Sequence, residues 1–93
     1  MIYELLFHEK ALKEWRKLDS NTQEQFKKKL KERLDNPHNA SAKLTKSQNR
    51  YKIKLKSAGY RLVYEVQDAK LVVTVIAVGR RDQNFVYVAA ALR

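Results

Sequence analysis

Residues 50–61, RYKIKLKSAGYR, hold five Lys or Arg and no Asp or Glu. Arg50, Lys52, Lys54 and Lys56 take every second position, and Tyr51, Ile53 and Leu55 fill the gaps. Successive side chains of an extended chain point to opposite faces, so the stretch reads as a strand with one apolar and one cationic face. Tyr60–Val66 alternates too, and a hairpin through Ser57–Tyr60 brings Arg61 back beside Lys52 and Lys54, with Gly59 free to take positive φ. The pairing expected is Leu55 opposite Leu62, Ile53 opposite Tyr64 and Lys56 opposite Arg61. Like charges on neighbouring strands repel and weaken the hairpin. Glu65 is the one acid available on that face, so the cluster is read as a site for an anion, with phosphate the obvious candidate.

The chemistry such a cluster can perform is narrow. Cleavage of RNA by its own 2′-hydroxyl needs a base for that hydroxyl, positive charge on the phosphorane and a donor to the leaving 5′-oxygen. Crowded ammonium and guanidinium groups supply the second directly, and they lower the pKa of a neighbouring Lys or Tyr. The nucleophile belongs to the substrate, so the reaction selects RNA over DNA. Other toolkits are missing. His8 and His38 have no metal-binding spacing, cysteine is absent, and there is no phosphate-cradling glycine loop or nucleophile elbow. No cofactor and no metal are expected.

The elements that must hold the cluster follow from periodicity. Ile2–Phe7 reads as a first strand. Ala11, Leu12, Trp15 and Leu18 recur at helical spacing, and Phe26, Leu30 and Leu34 mark a second helix. Ser20 with Gln23, or Asn21 with Glu24, fits a capping box for it, and Pro37 stops it. Residues 38–49 are a loop. Leu71–Val78, apolar at nearly every position, predicts a central strand buried on both faces. A last short helix, capped by Asp82, would turn Phe85, Ala89 and Leu92 to one side. The order β-α-α-β-β-β-α predicts an α+β fold: a mostly antiparallel sheet with an N-terminal helical hairpin on one face, as a single domain over residues 1–93.

Composition agrees with a polyanionic partner. Twenty basic and ten acidic residues give a net charge of +10 in 93 residues, and residues 36–64 carry seven Lys or Arg and no acid. No apolar run reaches the ~20 residues of a membrane span, and the N-terminus lacks the features of a secretory signal. A cytoplasmic protein without a membrane partner is expected.

ALKEWRKL at 11–18, YKIKLKSAGYRLVYEV at 51–66, VVTVIAVGRRD at 72–82 and VY at 86–87 together resemble the RelE toxins of bacterial toxin–antitoxin pairs. The likeness runs nearly the whole chain. It implies a microbial-ribonuclease-like fold and an mRNA interferase that cuts within the codon in the A site of the 70S ribosome. Carried over by position, it implies that Lys52, Lys54 and Arg61 hold the scissile phosphate. Arg81 donates to the leaving oxygen, and Tyr87 lies at the base, with the general base being Tyr87, Lys52 or Lys54. It further implies that Lys27, Lys28, Lys29 and Lys31 contact ribosomal RNA and that a RelB-like antitoxin wraps the toxin or displaces its last helix, a helix rich in small residues and expected to detach cheaply. Lys43, Lys46, Arg50 and Lys56 are expected to add RNA-binding charge. One departure stands out: Thr45 occupies the place of a family arginine, between Lys43 and Lys46. Two alternatives stand beside this one: a non-catalytic RNA- or ribosome-binding inhibitor would use the same basic face but needs neither Arg81 nor Tyr87 beside it, and a ParE-like gyrase poison shares the fold, although Lys52, Lys54, Arg61, Arg81 and Tyr87 together argue against it.

Overall fold

A computed structural model describes residues 2–45 and 47–93, apart from the side chain of Gln83. The elements are β1 (Glu4–Phe7), α1 (Glu9–Arg16), α2 (Ser20–Asp35), β2 (Arg50–Leu55), β3 (Tyr60–Gln67), β4 (Val72–Arg80) and α3 (Phe85–Ala91). This is the expected order, although β1 starts at Glu4 rather than Ile2 and α1 ends before Leu18. The sheet runs β1-β4-β3-β2. β1 lies parallel to β4, and the β4–β3 and β3–β2 pairs are antiparallel.

Interior placement explains the continuous apolar run of β4. A register shift opposite Val63 and Tyr64 lets Ile76 and Ala77 both turn to one face, while Val73, Val75 and Val78 serve the other. Those two faces are separate cores. The larger packs Ala11, Trp15, Phe26, Leu30 and Leu34 of the helical hairpin onto Tyr51, Ile53, Leu62, Tyr64 and the β4 valines. The smaller packs Val86, Ala89 and Ala90 of α3 onto Val63, Ile76 and Ala77. The helical hairpin lies on one face as expected, and α3 covers the opposite face.

Two local expectations are corrected. The capping boxes do not form: Asp19 is the N-cap residue of α2, its carboxylate accepts from the Thr22 hydroxyl, and Gln23 Nε2 donates to the Trp15 carbonyl at 2.9 Å. That last bond closes the α1–α2 hairpin. The β2–β3 register is shifted by two residues from the one expected, with Ile53 opposite Leu62, Lys54 opposite Arg61 and Leu55 opposite Tyr60. This register sets Arg50 against Glu65, 2.9 Å apart, and stacks Tyr51 on Tyr64 with ring centroids 5.5 Å apart. Both cross-strand pairs are lost in the expected register. The turn, Lys56–Gly59, closes through Gly59, at φ +70, whose N–H donates to the Leu55 carbonyl at 2.8 Å.

α3 also differs from expectation. Asp82–Asn84 forms a turn of 3-10 helix ahead of it, and Asn84 takes a left-handed conformation (φ 56) immediately before Phe85. The sheet-facing residues are Val86, Ala89 and Ala90, while Phe85, Val88 and Leu92 are exposed. Small residues set this phase. A Cβ on Gly79 would lie 3.3 Å from the Phe85 ring, and Ala89 and Ala90 let the helix axis approach the strands closely. The far end is tied: Arg93 binds both carboxylate oxygens of Glu14 at 2.9 and 2.7 Å and donates to the Ile76 carbonyl at 2.9 Å. Glu14 also accepts from the Val78 N–H. β1 pairs with β4 as far as Val75, and this ion pair satisfies the β4 edge beyond it.

Candidate active site

The cationic face of β2 and β3 is the face that α3 covers only in part. Odd and even positions separate as the alternation requires: Tyr51, Ile53 and Leu55 are buried under the helical hairpin, and Lys52 and Lys54 project from the other side. Arg61, opposite Lys54, joins them. Arg81 follows the end of β4, where its N–H donates to the Gly59 carbonyl at 2.9 Å. Its guanidinium lies against the hairpin turn, with Nε 4.0 Å from where a Cβ on Gly59 would sit. Tyr87 comes one turn into α3, aimed by the Asn84 reversal.

Lys52, Lys54, Arg61, Arg81 and Tyr87 thus line one open cleft of about 450 Å³, together with Lys43, Leu44, Thr45 and Asn84. Among the described residues, no carboxylate lines it. Glu65, the acid on this face, is held by Arg50. The charge of Lys52, and next that of Arg61, pushes the Lys54 ammonium below its usual pKa, helped by some burial and by Lys56. One guanidinium nitrogen of Arg61, Nη1, is buried and has no hydrogen-bond partner among the described residues. A buried donor of this kind is costly unless something binds it, and an anion in the cleft is the partner that the surrounding charge selects.

The remaining cations separate into groups. Lys43 reaches the cleft, and Lys46 lies outside the described residues. Arg50 was expected to add free RNA-binding charge, but its guanidinium is spent on Glu65 and on the Ala90 carbonyl, and its side chain is 19% exposed. It is a tie from β2 to α3. On α2, Lys29 borders a groove with Arg33, Lys52, Lys54 and Lys56. Lys28 and Lys31 lie beside Glu32 and Asp35, and Lys27 pairs with Glu24 at 3.3 Å. Arg33 was not singled out in the sequence. It donates to the Tyr64 hydroxyl at 2.9 Å and to the Lys52 carbonyl at 3.3 Å, so it pins the strand that carries Lys52. Asn84 and Leu44 were also missed; an Asn directly before an apolar helical run was the available signal for the first. His8 and His38 are structural: His8 caps α1, and His38 joins the Tyr51 hydroxyl to Asp68.

Among the described residues, no three His, Asp or Glu side chains are placed to hold a metal ion, and no helix is long and apolar enough to cross a membrane.

Comparison with known proteins gives the family. Residues 5–85 match the family model described as the ParE toxin of the type II toxin–antitoxin system parDE. The chain is 55% identical over 93 residues to the mRNA interferase toxin RelE of Escherichia coli K12, covering all of this chain and 98% of the relative. Among solved structures, a double arginine-to-alanine mutant of E. coli toxin RelE in the free state superimposes with a TM-score of 0.92 at 54% identity, covering 100% of this chain and 98% of that one. The toxin in the intact E. coli RelBE toxin–antitoxin complex superimposes with a TM-score of 0.83 at 56% identity, over 87% of this chain and 99% of that one. A β-α-α-β-β-β-α chain with this likeness along its whole length belongs to the RelE/ParE family of type II toxin–antitoxin toxins, in its RelE branch.

Proposed function

We propose that this chain, acting as one domain over residues 1–93, is an endoribonuclease toxin. It cleaves messenger RNA in the A site of the 70S ribosome and so stops translation in the cytoplasm. The observation that carries the reading is the convergence of Lys52, Lys54, Arg61, Arg81 and Tyr87 on one cleft without a carboxylate. In that cleft the 2′-oxygen attacks the adjacent phosphorus and the bond from phosphorus to the 5′-oxygen breaks, leaving a 2′,3′-cyclic phosphate and a 5′-hydroxyl. Lys54, whose neutral form its neighbours favour, takes the 2′-hydroxyl proton. Lys52 and Arg61 stabilise the charge that develops on the phosphorane, and Arg81 donates to the departing 5′-oxygen. Tyr87 orients the nucleotide. Flexible cations alone position a substrate poorly, and the ribosome supplies the missing orientation of the message. Lys29 and Lys56, beside the cleft, add contacts to ribosomal RNA. A RelB-like antitoxin, as in the E. coli RelBE complex, neutralises the toxin, and its acidic segments suit a partner of charge +10.

The test is a ribosome programmed with a message carrying 2′-deoxy sugar at the scissile nucleotide. The account expects no cut there and normal cuts, ending in 5′-hydroxyl, in the all-ribose message. Equal cutting of both messages would contradict it. The ParE description of the matching family model favours a second reading, a gyrase poison of the same fold. Trapped gyrase–DNA breaks in the presence of the protein would support that reading in place of the first.

A further inference from the structure

Lys54 sits where an amine can react without RNA. It is exposed on β2, whereas Lys52 is half-buried. The strand register sets it opposite Arg61, whose buried Nη1 has no hydrogen-bond partner among the described residues. Lys43, Lys52 and Arg81 line the same cleft, and among the described residues no carboxylate does. A lysine amine is a nucleophile only when neutral, and cations beside it favour that form. The charge of Lys52, and next that of Arg61, does so for Lys54. The same cations make a seat for a phosphoryl group beside the amine. Lys10, Lys13, Lys17 and Lys70 are exposed elsewhere and have no part in that seat.

We propose that Lys54 is a modification site for small acyl phosphates such as acetyl phosphate, seated by Arg61 and its neighbouring cations, and that acylation there switches the cleft off; the second part rests on the ribonuclease reading. An acyl phosphate carries both halves that the cleft offers to receive. Its phosphoryl dianion meets the cations, and its carbonyl carbon, one bridging oxygen away, meets the amine. Lys54 Nζ attacks that carbon, an N–C bond forms, and the C–O bond to the phosphoryl group breaks. The electron pair leaves on the phosphate oxygen, which takes the proton that the amine gives up. The products are an amide on Lys54 and inorganic phosphate, whose charge the seat stabilises as it departs. The amide carries no positive charge and accepts no proton. The cleft thereby loses one cation and the base assigned to the 2′-hydroxyl.

The test treats the full chain with acetyl phosphate and, separately, with a phosphate-free acetyl thioester, and peptide mass spectrometry follows each lysine in time. With acetyl phosphate, Lys54 is expected to react about tenfold or more faster than Lys10, Lys13, Lys17 and Lys70. With the thioester, which cannot use the seat, that preference is expected to shrink severalfold. Added inorganic phosphate is expected to slow the reaction of acetyl phosphate at Lys54 and to leave the distant lysines unaffected. Equal rates at all these lysines, faster reaction at Lys43 or Lys52, the same preference with both reagents, or no competition by phosphate would each overturn the site. Arg61→Gln is expected to remove the preference for acetyl phosphate over the thioester; should that variant not fold, competition by phosphate on the parent chain decides. A chain acetylated at Lys54 alone is expected to lose nearly all cuts on translating ribosomes. Unchanged cutting by that chain would overturn the switch. Phosphate-sensitive acetylation of a parent chain that cuts no message would instead sink the ribonuclease reading and leave the modification site standing.

Discussion

Lys54 is held below its ordinary pKa of 10.5, first by Lys52 and next by Arg61. A lowered value makes the neutral amine available at lower pH, so a base step through Lys54 speeds up as pH rises, with a midpoint below 10.5. Lys52→Ala removes the largest cause and is expected to move that midpoint upward, measured as the pH profile of single-turnover cleavage at saturating ribosome. An unmoved midpoint would take the base role from Lys54. Arg81→Ala, by losing the donor to the leaving oxygen, and Tyr87→Ala, by losing orientation of the nucleotide, are each expected to lower cleavage about 100-fold or more while ribosome binding by sedimentation persists. At this scale the sequence was uneven. Strict alternation made Lys52 and Lys54 legible as one face, and the following hairpin added Arg61. Arg81 and Tyr87 could not be placed by periodicity, because a 3-10 turn and the left-handed Asn84 intervene between β4 and α3; family likeness alone pointed to them. Arg50 looked like another free cation because its partners, Glu65 and the Ala90 carbonyl, are distant in the chain.

α3 carries Tyr87, and its attachment decides whether the cleft is complete. Far from lying loosely on the sheet, the helix is tied at its end by Arg93 to Glu14 and by its Ala90 carbonyl to Arg50. Both members of the Glu14–Arg93 pair are mostly buried, so breaking it from one side leaves an unpaired charge. Glu14→Gln is expected to cost about 2–3 kcal/mol in urea unfolding and to lower cleavage beyond what lost stability explains, because Tyr87 loses its place. A change under about 0.5 kcal/mol would show that the Glu14–Arg93 pair does not hold the helix. The element order was legible from helical spacing, alternation and the long apolar run of β4. The side on which α3 packs was not. Phe85 and Leu92 look like the natural core of that helix, but Gly79, Ala89 and Ala90 permit a closer approach on a different face. The observed hairpin register was hidden for a related reason: it is set by Arg50 meeting Glu65 and Tyr51 meeting Tyr64, pairings that alternation allows but does not select.

A net charge of +10 on 93 residues makes the whole molecule a ligand for polyanions. If Lys43, Lys52, Lys54, Arg61 and Arg81 of the cleft each neutralise one phosphate of single-stranded RNA, the slope of log affinity against log salt is about −3.5. Affinity then falls roughly 100-fold between 50 and 200 mM salt. Filter binding over that range checks it, and a flat dependence would remove the electrostatic basis of the account. Charge alone does not separate an enzyme from a protein that merely occupies the ribosome, since both would show the same salt slope. The measurement that separates them most directly is primer extension on one message, compared free, on translating ribosomes, and on translating ribosomes with Arg81→Ala in place of the parent chain. The account predicts new ends inside codons with the parent on translating ribosomes, none on the free message, and loss of nearly all of them with the variant. Stalled translation without new ends, or the same ends on free message, would contradict it.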